Sequence, residues 1–505
     1  MTAAEHLEPD WDVVVIGTGM GGSSAGAVCA HHGLKTLILE KNPRPGGACS
    51  YYEKHGFRMD CGTHLFIRGN KGPFGALTRR LGLGEPIEFR HTPYTVHLKG
   101  MGVDAKVPQN ILGRAAIAPW IAWQARISPL EYPGIARLML DIVMKKPHEI
   151  EILNNFTVEE YMLRFTQNEE IRAAFGMLLG LFFTLPPWEA SAGESIWNLQ
   201  KFILEMNLGY PKGGAVAIPE AFLGGARKHG ATVRMKANVK KIEVENGQVR
   251  AVILRNGERI TTRTVISTTS LGDTVSELVG EEHFPAPYVE RARGIKPSWT
   301  AVQAKIAVKK RVIDAGSLVG GTPLKMDRKL TGSFLHEAMG SLEKGRYSGF
   351  VPIYAPVPTN YDPTLAPEGC QIITAVAVAP TLDIELEDGE QRWMDGLMES
   401  MYEMVPALRK NMLFYDTWSV KTLAVWIGKS NGSAITTSQT PDQVGLKRPA
   451  HRTPVSGLYI AGDCGGHARG VGTELACQSG MDCGDEVTSD LRHYVLPIQR
   501  IALAS

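Results

Sequence analysis

Val13-Val14-Val15-Ile16-Gly17-Thr18-Gly19-Met20-Gly21-Gly22, closed eighteen positions later by Glu40, is the stretch that decides the fold. It opens as a continuous apolar run, the composition of a parallel strand covered on both faces. Gly17, Gly19 and Gly22 fit G-x-G-x-x-G, a spacing that permits a tight turn, close approach of a pyrophosphate and close helix–strand packing. A small-residue helix is predicted from about Met20 to Gly33; Met20 and Gly21 lie at its start, where free N–H groups face phosphate. A second strand, Thr36 to Leu39, delivers Glu40 to accept hydrogen bonds from a ribose diol. Strand, turn, helix and acid in register predict a dinucleotide site on a Rossmann-type α/β domain.

A chain of 505 residues can bury a large core and divides into two domains or more. Its formal net charge of +2, with 21% charged residues, gives no sign of a nucleic-acid surface. Seven scattered cysteines without a C-x-x-C pair fit a reduced compartment. Met1 to Asp10 is polar and acidic, which reads against a secretory signal. Ile111–Ile127, interrupted by Arg114, Gln124 and Arg126, and the short Ala173–Pro187 both fall below the roughly 18 apolar residues of a membrane span. A cytoplasmic protein is expected, with peripheral contact at the inner face of the membrane through Ile111–Ile127 as the variant. No pattern requires a metal, and His31-His32 is expected to face solvent from the first helix. A serine-hydrolase elbow is missing from the sequence.

After Glu40 comes Lys41-Asn42-Pro43-Arg44-Pro45-Gly46-Gly47-Ala48-Cys49. Gly46 and Gly47 let the chain pass close to a planar group, and Arg44 can reach a phosphate. Flavoproteins that bury an isoalloxazine ring have use for this addition and plain nicotinamide-binding domains do not. An ordinary proline–glycine loop in a nicotinamide-dependent dehydrogenase remains the alternative.

Phe57-Arg58-Met59-Asp60-Cys61-Gly62 follows, and near the end stand Gln443, Arg448-Pro449 and Gly457-Leu458-Tyr459-Ile460-Ala461-Gly462-Asp463. Together these motifs resemble the FAD-dependent phytoene desaturase (carotenoid oxidoreductase-like, retinol saturase) branch of the amine oxidase flavoprotein superfamily. The resemblance touches about residues 11 to 70, 208 to 270 and 430 to 490. It implies an FAD site that gathers Lys41, Arg44, Gly46, Gly47 and Ala48 to the first turn. Val239 would hold the adenine through its backbone, and Gly462 and Asp463 would face the ribityl and phosphate groups. Gly472 and Thr473, at the start of a last helix, would aim its positive end at the N1/O2 side of the flavin. Where related desaturases often continue with Gly-Pro, this chain has Thr63-His64. His64, His467 in the glycine loop and Glu474 are the candidate acid–base residues. Each has a plainer reading: a loop histidine bonded to backbone, another glycine-loop histidine, and a helix cap.

The implied architecture is a discontinuous FAD-binding domain (residues 1–71, 208–275 and 430–505) with an inserted mixed α+β substrate domain (72–207 and 276–429). Residues 72 to 207 read as helical. Their large apolar side chains, Trp120, Trp123, Met139, Met144, Met177, Leu178, Phe182, Phe183, Trp188 and Trp197, are expected to form a helical core or the wall of an apolar tunnel. Thr232–Met235 reads as a strand. Asn246-Gly247 and Asn256-Gly257 join Val239–Glu245, Val249–Arg255 and Arg259–Thr262 into a meander, with Val265–Thr269 a further strand. Thr300–Val308 and Gln371–Ala379 read as strands, and Trp393, Leu397, Met401 and Met404 as one buried helix face.

By resemblance, the expected chemistry is hydride transfer to or from flavin N5 at a C–C, C=C or C–H bond of a hydrophobic, isoprenoid substrate, in a desaturase or dehydrogenase. An amine oxidase-type flavoenzyme, a polyene saturase or isomerase, and a flavin-binding subunit that needs a partner chain stay open. So does the electron acceptor, a quinone or oxygen.

Overall fold

The computed structural model describes residues 9–100, 102–323 and 331–502, without the side chains of 179–181 and 493–502. The quoted stretch forms the strand Trp11–Ile16, flanked by two parallel neighbours. Val14 pairs with Leu37 on one side and Val265 on the other. Its sheet runs Val239–Glu245, Gln248–Leu254, Arg259–Ser267, Trp11–Ile16, Thr36–Leu39, Thr232–Arg234, and Leu458–Ile460 pairs onto Arg259–Ser267. Three distant parts of the chain therefore share one sheet, because each supplies an apolar strand that only this layer can cover. The expected strands Arg259–Thr262 and Val265–Thr269 are one continuous strand. It is antiparallel to the meander at Arg259–Thr261 and parallel to Trp11–Ile16 over Thr262–Ser267.

The helix Met20–His31 is buried along its whole length except its last residue. The sheet lies on one side and the terminal helix Gly472–Ala502 on the other. A Cβ at Gly480 would lie 2.0 Å from Ser24 Oγ and 2.3 Å from the Gly21 carbonyl. His31 and His32 are half-buried: His31 meets His229 edge to face at 4.7 Å, and His32 lies beside Arg80 and Asp485.

A second sheet runs Met412–Trp418, Thr300–Val308, Gln371–Ala379, Val351–Pro356, Ser317–Thr322, Tyr94–Gly100, Val103–Pro108. The helix Gly389–Met404 covers it with Trp393, Leu397, Met401 and Met404, all buried. The last two strands correct the helical reading of residues 72 to 207. Tyr94–Gly100 pairs in parallel with Ser317–Thr322, some 220 residues away, so nothing local marks it. Phe89–Arg90 is a further short strand and helices make up most of the rest, but Trp120, Trp123, Met139, Met144 and Leu178 are exposed rather than packed in a core.

Close packing of the two helices gives a direct test. Gly480→Ala is expected to destabilise the protein by about 1–3 kcal/mol through overpacking. Gly224→Ala, in the helix Ala217–Lys228 where an added Cβ meets nothing within 4 Å, should instead be neutral or stabilising by up to about 1 kcal/mol. Urea unfolding of the two variants checks both signs.

Candidate active site

The first turn is built as the glycine spacing requires. Gly17 has φ +102°, in the region that favours glycine, and a Cβ on Gly22 would sit 2.0 Å from the Gly17 carbonyl oxygen. Gly19 caps the helix without a side-chain bond, and no acid stands in the first turn, so its N–H groups are left for an anion. The second glycine pair comes back onto this turn: a Cβ on Gly47 would lie 3.2 Å from the Gly19 Cα. The third segment joins at Gly462, whose Cα lies 2.7 Å from where a Gly21 side chain would begin.

At Gly19, Gly462 and Gly472 an added Cβ would meet no atom within 4 Å. Gly19 and Gly472 stand at the starts of the helices Met20–His31 and Gly472–Ala502, which pack on each other, and Ala48, next to Gly47, is exposed. This cradle of backbone N–H groups fits the phosphates of FAD.

Glu40 is buried, and its carboxylate ties the parts together. It accepts from the Thr18 N–H at 3.0 Å, from the Thr18 hydroxyl and from the Asn42 N–H at 2.9 Å. Thr18 Oγ1 in turn accepts from the Gly46 N–H at 3.2 Å. The chain beside it leads to Val239, since the Ala237 N–H donates to the Glu40 carbonyl at 2.7 Å. Lys41 reaches away to the Val425 carbonyl, and burial lowers its pKa. Arg44 lies over the Tyr51 ring at 4.8 Å, with Arg58 at 4.3 Å from the same ring. The Asp463 carboxylate accepts from Lys429 Nζ at 2.7 Å and from the Thr436 hydroxyl at 2.8 Å. Burial alone would raise its pKa, but Lys429 and Thr436 hold it below the usual range. Asp463 thus anchors its loop to the Lys429–Thr436 segment.

The three acid–base candidates are placed differently from one another. His64 is buried, stacks on Phe66, and its neutral ring donates from Nε2 to the Ala48 carbonyl at 3.0 Å. Burial pushes its pKa down to about 4, so at neutral pH it pins the second glycine loop instead of carrying a proton. Glu474 is buried in the first turn of the last helix, and both its oxygens accept from Arg68: the backbone N–H at 3.0 Å and Nε at 2.6 Å. Arg68 also lies over the Trp197 ring at 5.2 Å, which joins that helix to Ala192–Leu204. His467 is exposed.

A buried polar cluster faces the Phe57–Thr63 segment and was not anticipated. Lys305, fully buried in the strand Thr300–Val308, donates from Nζ to Gln303 Oε1 at 2.7 Å and to the Gly62 carbonyl at 3.3 Å. Thr63 donates to the same Gln303 oxygen at 3.2 Å. Burial lowers the Lys305 pKa to about 8. One signal was available: Gln303 and Lys305 stand two apart, on one face of an otherwise apolar strand. Next to it, Asp60 accepts from the Tyr210 hydroxyl and from the Ala215 N–H at 3.2 Å, which fixes the Tyr210–Gly214 turn.

His64 gives a pH test. A histidine whose folded pKa lies below its unfolded value costs stability as pH falls from about 6.5 to 4, because the unfolded chain takes up the proton first. His64→Gln keeps an N–H for Ala48 but cannot titrate. Its unfolding free energy should therefore fall less between pH 7 and pH 4.5, by about 2–3 kcal/mol relative to wild type in urea titrations.

Known proteins resemble this chain over most of its length. Prolycopene isomerase of Daucus carota is 26% identical, covering 95% of this chain and 80% of that one. The zeta-carotene-forming phytoene desaturase of Myxococcus xanthus is 24% identical and covers 89% of each chain. A crystal structure of an oxidoreductase from Methanosarcina mazei shares the fold, with a TM-score of 0.70 at 18% identity over 93% of this chain and 99% of that one. The family model for flavin containing amine oxidoreductases matches residues 1–488. With its three-part glycine cradle, this chain is an FAD-dependent oxidoreductase and belongs to the flavin containing amine oxidoreductase family.

Proposed function

We propose that this oxidoreductase acts on a carbon–carbon or carbon–hydrogen bond of a hydrophobic, isoprenoid substrate of the carotenoid or terpene class, in the desaturating direction. The observation that carries the substrate class is the length of the matches to carotenoid proteins, 95% of this chain for the prolycopene isomerase and 89% for the phytoene desaturase. Both matches extend beyond the cofactor motifs into the segments we assign to the substrate. The Gln443…Arg448-Pro449 motif supports the reading. Gln443 binds both backbone groups of Lys296, and buried Arg448 donates to the Ala468 carbonyl at 2.6 Å, so the motif holds the last glycine loop. The match to prolycopene isomerase favours polyene isomerisation as the second reading.

When bound, FAD supplies a two-electron acceptor or donor for hydride. Gly17, Gly19, Met20, Gly21 and Gly22 would receive its phosphates. Gly46, Gly47, Ala48, Gly462, Gly472 and Thr473 would line the flavin, and Val239 the adenine end. Glu40 shapes the turn and is the acid assigned to the ribose. Lys305 holds a proton at Nζ beside the Gly62 carbonyl, in a water-poor site where its charge is held loosely. We assign it to proton movement at the reacting end, in place of His64. A quinone is the assigned acceptor, oxygen the alternative.

Anaerobic mixing of the purified protein with candidate polyenes tests the function. A yellow flavin spectrum that bleaches, with product of altered chain unsaturation, is the expected result. Isomerised product without net bleaching favours the second reading. Bleaching only by amines, with peroxide formed in air, would replace both by amine oxidation, and bleaching only after adding another protein would make the chain a partner-dependent subunit. The pH profile tests Lys305: wild-type turnover should inflect near pH 8, and Lys305→Met should lose that inflection with kcat lowered about 10²-fold or more. An unchanged profile would remove Lys305 from the chemistry.

A further inference from the structure

The helix Ile111–Gln124 is fourteen residues long, is rich in Ile, Leu, Ala and Trp, and buries none of them. Asn110 caps it, accepting from the Gly113 N–H, and it packs on the strand Val103–Pro108. Leu112 is 81% exposed and Trp123 67%, and Leu130 in the following turn reaches 90%. Trp120 and Trp123 stack on each other at 4.8 Å, one turn apart and both exposed. The next helix, Tyr132–Met144, continues the pattern with exposed Leu140 and Met144. Apolar faces of this extent are rare on surfaces that meet only water.

We propose that this face docks on a lipid bilayer with anionic headgroups. The charge pattern selects that occupant. Residues 111 to 146 carry Arg114, Arg126, Arg137, Lys145 and Lys146 against only Glu131 and Asp141. Glu131 accepts from Thr166, and Asp141 from Tyr161 and Lys145, so both acids are already engaged. Arg126, Arg137 and Lys146 are exposed around the apolar side chains. Long cations that surround exposed tryptophans suit the headgroup layer, where stems lie along apolar matter and charges reach phosphate. Among the described residues no helix is long and apolar enough to cross a membrane, so the contact is peripheral.

The platform adjoins the active site. Gln109, just before the helix, donates to the Leu208 carbonyl at 3.0 Å, and the next residue, Gly209, donates its N–H to the Phe66 carbonyl. Phe66 ends the segment that runs past Gly62 and His64. An apolar substrate that leaves the bilayer here would be one loop away from the reacting end. Only this route rests on the functional reading above; the docking itself does not.

Co-sedimentation of the full chain with vesicles, read without substrate or turnover, separates the two. Wild type is expected to pellet with vesicles of phosphatidylcholine and phosphatidylglycerol, less with phosphatidylcholine alone, and with a blue shift of tryptophan emission. Leu112→Ser combined with Trp123→Ser should weaken binding at least about tenfold, since the exposed side chains supply the inserted area. Arg126→Gln with Lys146→Gln should remove the preference for phosphatidylglycerol and the salt dependence. All four positions are exposed, so circular dichroism should be unchanged. Wild type left in the supernatant with both vesicle types would overturn the proposal. So would a dimer on size-exclusion chromatography that the serine variant splits, which would give the face to a second copy.

Discussion

The contact between the helix starting at Met20 and the loop at Gly462 is the constraint on which the rest depends. A methyl group at Gly21 would strike the Gly462 Cα, and one at Gly480 would strike Ser24 and Gly21. Backbone meets backbone at both places, which leaves no room for side chains. The sheet imposes the same convergence. Trp11–Ile16 and Leu458–Ile460 both pair with Arg259–Ser267, so residues more than 440 apart in sequence are held in one parallel layer. The strands of the second sheet, Tyr94–Pro108 and Thr300–Trp418, fall between them in sequence, so the chain leaves this layer twice and returns to it.

Charges then lock what the glycines allow. Arg469 pairs with Glu194, which is fully buried, at 3.0 Å, and with Glu151. Arg68 links Glu474 to Glu205. Each set joins the last glycine loop or helix to the helices of residues 147 to 205. Burying such ions costs about as much as their attraction returns, so their contribution lies in fixing one relative placement more than in net stability. Loss of one partner would strand a charge, which makes these joints all-or-none.

The sequence made the FAD half legible because its constraints are local. A glycine at φ +102°, an apolar strand and an acid eighteen residues beyond the turn announce themselves within forty positions. Gly47 is legible as part of a second glycine pair, but Gly462 and Gly472 only through resemblance, since Gly462 meets Gly21 from far away in sequence. Side-chain roles were harder still. His64, His467 and Glu474 were singled out by residue type and position, and whether an imidazole is free or bonded to Ala48 depends on what buries it. Lys305 escaped for the opposite reason: in a run of alanine, valine and isoleucine it reads as one polar interruption, and only the folded sheet shows that Gly62, Thr63 and Gln303 surround it.

Tyr94–Gly100 and the exposed tryptophans share one cause. Periodicity reports that a side chain belongs to an apolar face without saying what covers that face. The alternation of Tyr94–Gly100 is weak because one of its neighbours, Ser317–Thr322, supplies pairing that no local pattern encodes. The apolar bulk of Ile111–Gln124 is strong, yet among the described residues its main packing partner is the strand Val103–Pro108. In a protein that folds as one body, a helix so apolar gains nothing by standing in water. The proposed bilayer contact would cover this face, and the arginines and lysines near it would meet the headgroups. An oxidoreductase for a water-insoluble substrate has a use for such a contact, because it shortens the path from the phase that holds the substrate to the segment from Asp60 to Phe66.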